Sequence, residues 1–214
     1  MDLNAIKPGT RFQLVLPFTA HPSSPDSPRN MGGNAFSEQL PTAVFPKMSL
    51  AFYNSLKSRI MPRLEALYHL VVVPPGAPGK PDYGGLDILV CKPKDVKEGV
   101  PLSECVTLKE IEQALGSACS NPYPGNRTSN FAIPIQQDEI QHFSFDKDKS
   151  DLAQLYIQIY FHFCEDEQNL RSRALFKSYG ELGMILGMLG KTVGLKWTPS
   201  GLKVLTRSRV LGAY

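Results

Sequence analysis

A chain of 214 residues with 42% hydrophobic and 20% charged side chains has an ordinary globular balance, enough for one domain or a compact core with an extension. Its net charge of +3 is too small to mark a dedicated nucleic-acid binder by electrostatics alone. The four cysteines, Cys91, Cys105, Cys119 and Cys164, lack the paired spacing of a zinc site or a disulfide framework, so reduced thiols are expected.

Residues 1–45 are rich in Pro, Ser, Gly and Asn and read as a flexible extension, with a loop over 22–34. Within it, Phe12 to Phe18 forms one short strand or a docking patch; it is too short for a signal peptide or a membrane span. A cytoplasmic or nuclear location, with no membrane partner, is the expectation. The sequon at Asn126 is read as chance in that setting.

From Ser49 to Leu70 the spacing of Tyr53, Leu56, Ile60, Leu64 and Leu67 predicts a helix, kinked or divided at Pro62. Val71 to Val73 begins a strand, and Pro74 to Gly85 is a turn-rich connection. Leu86 to Cys91 is the best strand in the chain, apolar except for Asp87. Thr107 and Glu110 have capping-box spacing and open a helix that stops near Gly116. A loop follows, then a short apolar stretch from Phe131 to Ile135 and a strong strand from Leu155 to Cys164.

Ser178 and Glu181 have the spacing of another capping box, leading into a helix on which Gly183, Gly187 and Gly190 share a face open to close packing. Met184 and Met188 are expected in the core, and Trp197 to Val204 as a hairpin. The order of elements indicates an α+β or mixed α/β fold. Its domain plan is an extension over 1–45, a core over 46–170 and a helix-and-hairpin subdomain over 171–214, packed on the core.

The strand Gly85-Leu86-Asp87-Ile88-Leu89-Val90 resembles the first carboxylate strand of family X DNA polymerases and related nucleotidyltransferases. Tyr156 to Phe163 resembles the later strand that supplies a third carboxylate, and Leu175-Phe176-Lys177-Ser178 falls where that family has an aromatic-Gly-Ser element. The resemblance covers roughly residues 50 to 205. It implies a nucleotidyltransferase-like palm sheet with flanking helices, a small C-terminal subdomain and two magnesium ions held by three aspartates.

The departures are as informative as the matches. Gly85 holds the first aspartate position, and Tyr160, or Tyr156 in another register, holds the third. Asp87 alone remains, and one carboxylate is a poor site for a pair of mutually repelling ions. The expectation is therefore a degenerate site without metal or other cofactor, repurposed for a small organic ligand. An active magnesium-dependent nucleotidyltransferase and a non-enzymatic protein- or nucleic-acid-binding module are the alternatives.

The candidate catalytic residues are Asp87, Tyr160 and His162, the last two facing one side of their strand. Asp87 reads either as a cleft carboxylate or as a residue paired with a nearby lysine. Tyr160 either donates to a ligand or fills space, and His162 is either an acid–base group or a structural one. Candidate ligand-binding residues are Asp82, Tyr83, Ser178 and Lys191. Glu165, Asp166 and Glu167 read as a solvated turn rather than as metal ligands. Lys191, Lys196, Lys203, Arg207 and Arg209 make the C-terminal region basic.

Overall fold

The computed structural model describes residues 34–123, 127–143, 154–198 and 201–204. The stretch 12–18, most of the loop over 22–34, Asn126, Arg207 and Arg209 lie outside these residues, as does the side chain of Glu181.

The fold is α+β, built on a mixed five-stranded sheet. Helix α1 (Leu50–Leu67) starts at Ser49, whose hydroxyl accepts from the Phe52 amide. It runs through Pro62 as one helix, and Pro62 and Ser58 both lie on its exposed side, where water can reach the carbonyl left without its amide partner. Strand β2 (Tyr68–Val72) follows at once, earlier than the valine run suggested. Strand β4 (Leu86–Pro93) pairs antiparallel with β2 and parallel with β7 (Tyr156–Phe163). Strands β6 (Thr128–Pro134) and β5 (Cys119–Pro122) complete the sheet in the order β2-β4-β7-β6-β5. β1 (Met48–Ser49) and β3 (Asp82–Tyr83) form a separate two-stranded ladder.

One face of the sheet carries Leu86, Ile88, Val90, Phe131, Ile159 and Phe161 and packs under α1 and α2 (Leu108–Leu115) as the main core. The capping box expected for α2 is present: Thr107 accepts from the Glu110 amide while Glu110 accepts from the Thr107 amide. Gly116 closes the helix at φ 69°, a left-handed position suited to glycine.

The other face has two covers. Helix α3 (Glu167–Thr192) lays Leu170 and Ala174 over Leu89, Cys91 and Cys164. Residues 34–45 cover the far end, where Phe36, Leu40 and Phe45 gather on Ala132 and Tyr156. This part of the expected flexible extension is instead packed on the sheet, because its apolar side chains have a core patch to bury against.

α3 begins earlier than expected. Asp166 caps it, accepting from the Asn169 amide at 2.7 Å, and Ser178 lies eleven residues inside it with its hydroxyl donating to the Ala174 carbonyl. The chain instead bends at Tyr179 and Gly180, both left-handed (φ 55° and 71°), and the Tyr179 amide leaves the helical ladder to bond the Pro75 carbonyl at 2.8 Å. Beyond the bend the glycine face receives β8 (Leu195–Thr198): a Cβ on Gly187 would stand 3.6 Å from the Trp197 carbonyl oxygen and one on Gly190 3.4 Å from that of Leu195. β8 pairs with β9 (Gly201–Val204) as the expected hairpin. Since the glycines face the hairpin, Met184 and Met188 turn outward and are half exposed, not in the core as expected. No helix among the described residues is long and apolar enough to cross a membrane.

Candidate functional site

Parallel pairing of β4 with β7 sets Asp87 beside Tyr160 in register. Antiparallel pairing sets Asn130 on the other flank of Tyr160 and Thr128 beside His162. All five lie on the second sheet face, since residues directly across a ladder share a side. Between α3 and residues 34–45, Gln158 and Tyr160 are left half buried among the described residues and form the floor of the candidate cleft. Tyr156, the other register considered for the third acidic position, is buried beneath residues 34–45 with its hydroxyl on Gln154. Tyr160 is therefore the tyrosine beside Asp87.

Lys177, on the first arm of α3, reaches down to this floor. Its Nζ donates to Asp87 Oδ1 at 2.7 Å and stands 3.7 Å from the centroid of the Tyr160 ring. An ammonium held between a carboxylate and an aromatic face satisfies both Coulomb and cation–π attraction. Asp87 is the more open partner, with 45% of its side chain exposed against 26% for Lys177. The carboxylate is thus the group presented to the cleft. Tyr53 of α1, in the core on the first sheet face, is stacked on Tyr83 at 4.0 Å between centroids. Burial, then the charge of Asp87 and the neighbouring Tyr83, push the Tyr53 phenol up to about 12.

Further along the floor, amides and phenols form a chain. Gln158 Nε2 donates to Asn130 Oδ1 at 3.1 Å, and Asn130 Nδ2 donates to the Tyr123 hydroxyl at 3.1 Å. Gln158 stands one residue before the Ile159 that pairs with Leu86, next to Gly85. A Cβ on Gly85 would come within 2.9 Å of the Gln158 carbonyl oxygen.

His162 lies deeper. It is 3% exposed, and its Nδ1 is 2.7 Å from the buried Thr128 hydroxyl. Burial first, then the charges of Arg173, Lys177 and Arg127, lower its pKa to about 4, so the ring is neutral at physiological pH. This placement makes His162 a floor residue behind Tyr160.

The other candidate residues are dispersed. Asp82 pairs with Lys47 at 3.1 Å on the surface. Tyr83 is buried against Tyr53 with Lys80 4.9 Å from its ring centroid. Ser178 is buried with its hydroxyl on the Ala174 carbonyl, and Lys191 is exposed in the last turn of α3. Of the acidic run, Glu165 pairs with Arg127, Asp166 caps α3 and Glu167 bridges Lys92 and Arg171. These three act as helix cap and surface ion pairs. Lys177, Gln158 and Asn130 complete the site. For Gln158 the signal was available: it is a polar residue two positions before Tyr160 in an apolar strand.

The magnesium that the resemblance implies does not fit these side chains. No three His, Cys, Asp or Glu side chains among the described residues come together as a metal would need. Asp87, the one carboxylate at the floor among the described residues, already holds an ammonium on Oδ1.

No protein-family model matches the chain, and no curated protein matches it in sequence. Among solved structures it is similar to the polymerase beta of Leishmania infantum in a ternary gap complex, at 12% identity and a TM-score of 0.47. The match covers 76% of this chain and 52% of that one, so the chain spans about half the length of that protein.

Proposed function

We propose that the chain carries a nucleotidyltransferase-type palm, resembling that of family X DNA polymerases, whose cleft binds or transforms a small organic molecule without metal. The Asp87–Lys177 ion pair carries this reading: an ammonium on the chain itself occupies Oδ1 of Asp87, the one carboxylate at the floor among the described residues. The adjacency of β4 and β7, the two strands that carry the resemblance, supports it further. Asp87 and Tyr160 are the groups that meet the ligand, flanked by Gln158 and Asn130, with His162 behind them. A cleft walled by tyrosines and amides suits an organic ligand with a few directed hydrogen bonds.

A fragment screen by protein NMR tests this reading. Fragments should perturb Tyr160, Gln158 and Asn130 without added metal, and Asp87→Ala and Tyr160→Phe should each weaken them. If both variants bind every fragment as the parent does, the reading fails. The parent's thermal midpoint should not move when magnesium is added. Magnesium-dependent transfer of a labelled nucleotide, abolished by Asp87→Asn, would establish the active-nucleotidyltransferase alternative instead.

The basic hairpin favours the non-enzymatic alternative. Lys196 and Lys203 are direct cross-strand neighbours, Lys191 is exposed nearby, and none pairs with a carboxylate among the described residues. Salt-sensitive nucleic-acid binding that survives Asp87→Ala would support that alternative.

A further inference from the structure

The wall that α3 gives the cleft is built from side chains one helical turn apart, Asn169, Arg173 and Lys177. Lys177 is engaged by Asp87 and Tyr160. Arg173 is half buried, its Nε donates to Asn169 Oδ1 at 3.1 Å, and no carboxylate among the described residues pairs with it. Its terminal amino groups therefore have no protein acceptor among those residues. Arg127 approaches the same ground from the start of β6, and its charge is met by Glu165. Of the three cations that bear on His162, Arg127 is offset by Glu165 and Lys177 by Asp87, while Arg173 has no carboxylate partner among the described residues.

A guanidinium at the surface of this wall, with no carboxylate partner among the described residues, is available to an outside acceptor. Its planar fork matches the two oxygens of a carboxylate or phosphate. One turn along, Lys177 lies over the half-buried Tyr160 ring, which offers aromatic surface for the rest of a molecule. We propose that Arg173, with Lys177 beside it, forms an anion-holding subsite, and that the cleft takes a small organic anion carrying a carboxylate or phosphate group. This deepens the small-molecule reading and rests on it. Arg173 holds the charged group against the α3 wall while the organic part lies along β7 and β6.

Phenyl phosphate and benzoate serve as anionic probes and benzyl alcohol as their neutral counterpart, each titrated into the full chain and followed by NMR of backbone and arginine Nε resonances. Both anions should shift the Arg173 Nε signal and bind more tightly than benzyl alcohol. Arg173→Gln should weaken phenyl phosphate by roughly tenfold, the loss of one charge-assisted contact, and leave benzyl alcohol unchanged. Arg173→Lys, which keeps the charge without the fork, should fall between. Displacement of phenyl phosphate by inorganic phosphate would also support the subsite, with the anion alone as its minimal occupant. Equal affinity for the neutral probe, or undiminished phenyl phosphate binding in a folded Arg173→Gln variant, overturns this inference and leaves the small-molecule reading standing. If no probe binds in the cleft, both are overturned.

Discussion

Lys177 and Asp87 lie 90 residues apart in the chain and 2.7 Å apart in the fold, the ammonium of one on a carboxylate oxygen of the other. The pair ties the first arm of α3 to the start of β4 and sets the electrostatics of the cleft. Both side chains keep some contact with water, so the contribution is that of a partly screened bridge reinforced by the Tyr160 ring. A double-mutant cycle of Lys177→Met and Asp87→Asn, read by urea denaturation, should give a coupling of about 1 kcal/mol. Additive single effects would mean that the contact does not hold α3 in place.

The pH dependence of stability should carry the mark of His162. Its pKa in the folded chain, about 4, lies below the ordinary histidine value of 6.5. Between these values the unfolded chain binds a proton that the folded chain refuses, so stability should fall as pH drops from 6.5 to 4. Above 6.5 both states are neutral at this position and its contribution is complete; below 4 both are protonated and no further loss arises from it. Denaturation midpoints across this window should show a shallower slope for His162→Gln than for the parent. Identical slopes would remove the buried neutral imidazole from the account.

Much of the frame was legible because local rules and tertiary packing agree there. Leu86 to Cys91 is apolar enough to be a central strand, and Thr107 with Glu110 forms the cap that their spacing announces. The close-packing face was likewise readable at Gly187 and Gly190, which meet the hairpin, whereas Gly183 meets Phe176 of its own helix. The site was less legible. Lys177 lies in the stretch likened to an aromatic-Gly-Ser element, and a lysine partner for Asp87 was one of the readings, but only the fold shows that Lys177 is that lysine. Ser178 had the right spacing for a cap, but the helix was already running from Asp166, so tertiary context overrode the local signal. Gln158 was passed over because one polar residue in a strand is common, and its place beside Gly85 depends on the register of β4 with β7.

The glycines of α3 should differ in tolerance. A Cβ on Gly183 would sit 2.3 Å from the Phe176 ring and 2.6 Å from the Phe176 carbonyl oxygen, and the backbone contact cannot be relieved by a rotamer change. Gly183→Ala should therefore cost about 2 kcal/mol. Gly187→Ala meets nothing closer than 3.6 Å, and alanine is the better helix former, so it should be neutral or stabilising by up to about 1 kcal/mol. Thermal unfolding of the two variants side by side checks the contrast. Equal tolerance would contradict the fold of Phe176 against Gly183.

The bend at Tyr179 and Gly180 gives two substitutions of opposite sign. Tyr179 holds a left-handed conformation at φ 55° with its side chain half exposed, so its backbone strain is not offset by deep burial of the ring. Tyr179→Gly keeps the amide that bonds Pro75 and removes the Cβ that disfavours this conformation. The strain, about 1 kcal/mol, should outweigh the added freedom of the unfolded chain, giving a small net gain. Gly180→Ala places a Cβ 3.5 Å from that of Ala77, an ordinary contact, so its effect isolates the backbone at φ 71°. It should cost about 1 kcal/mol. If chemical denaturation finds both variants destabilised alike, the left-handed pair is not what turns α3 toward the hairpin.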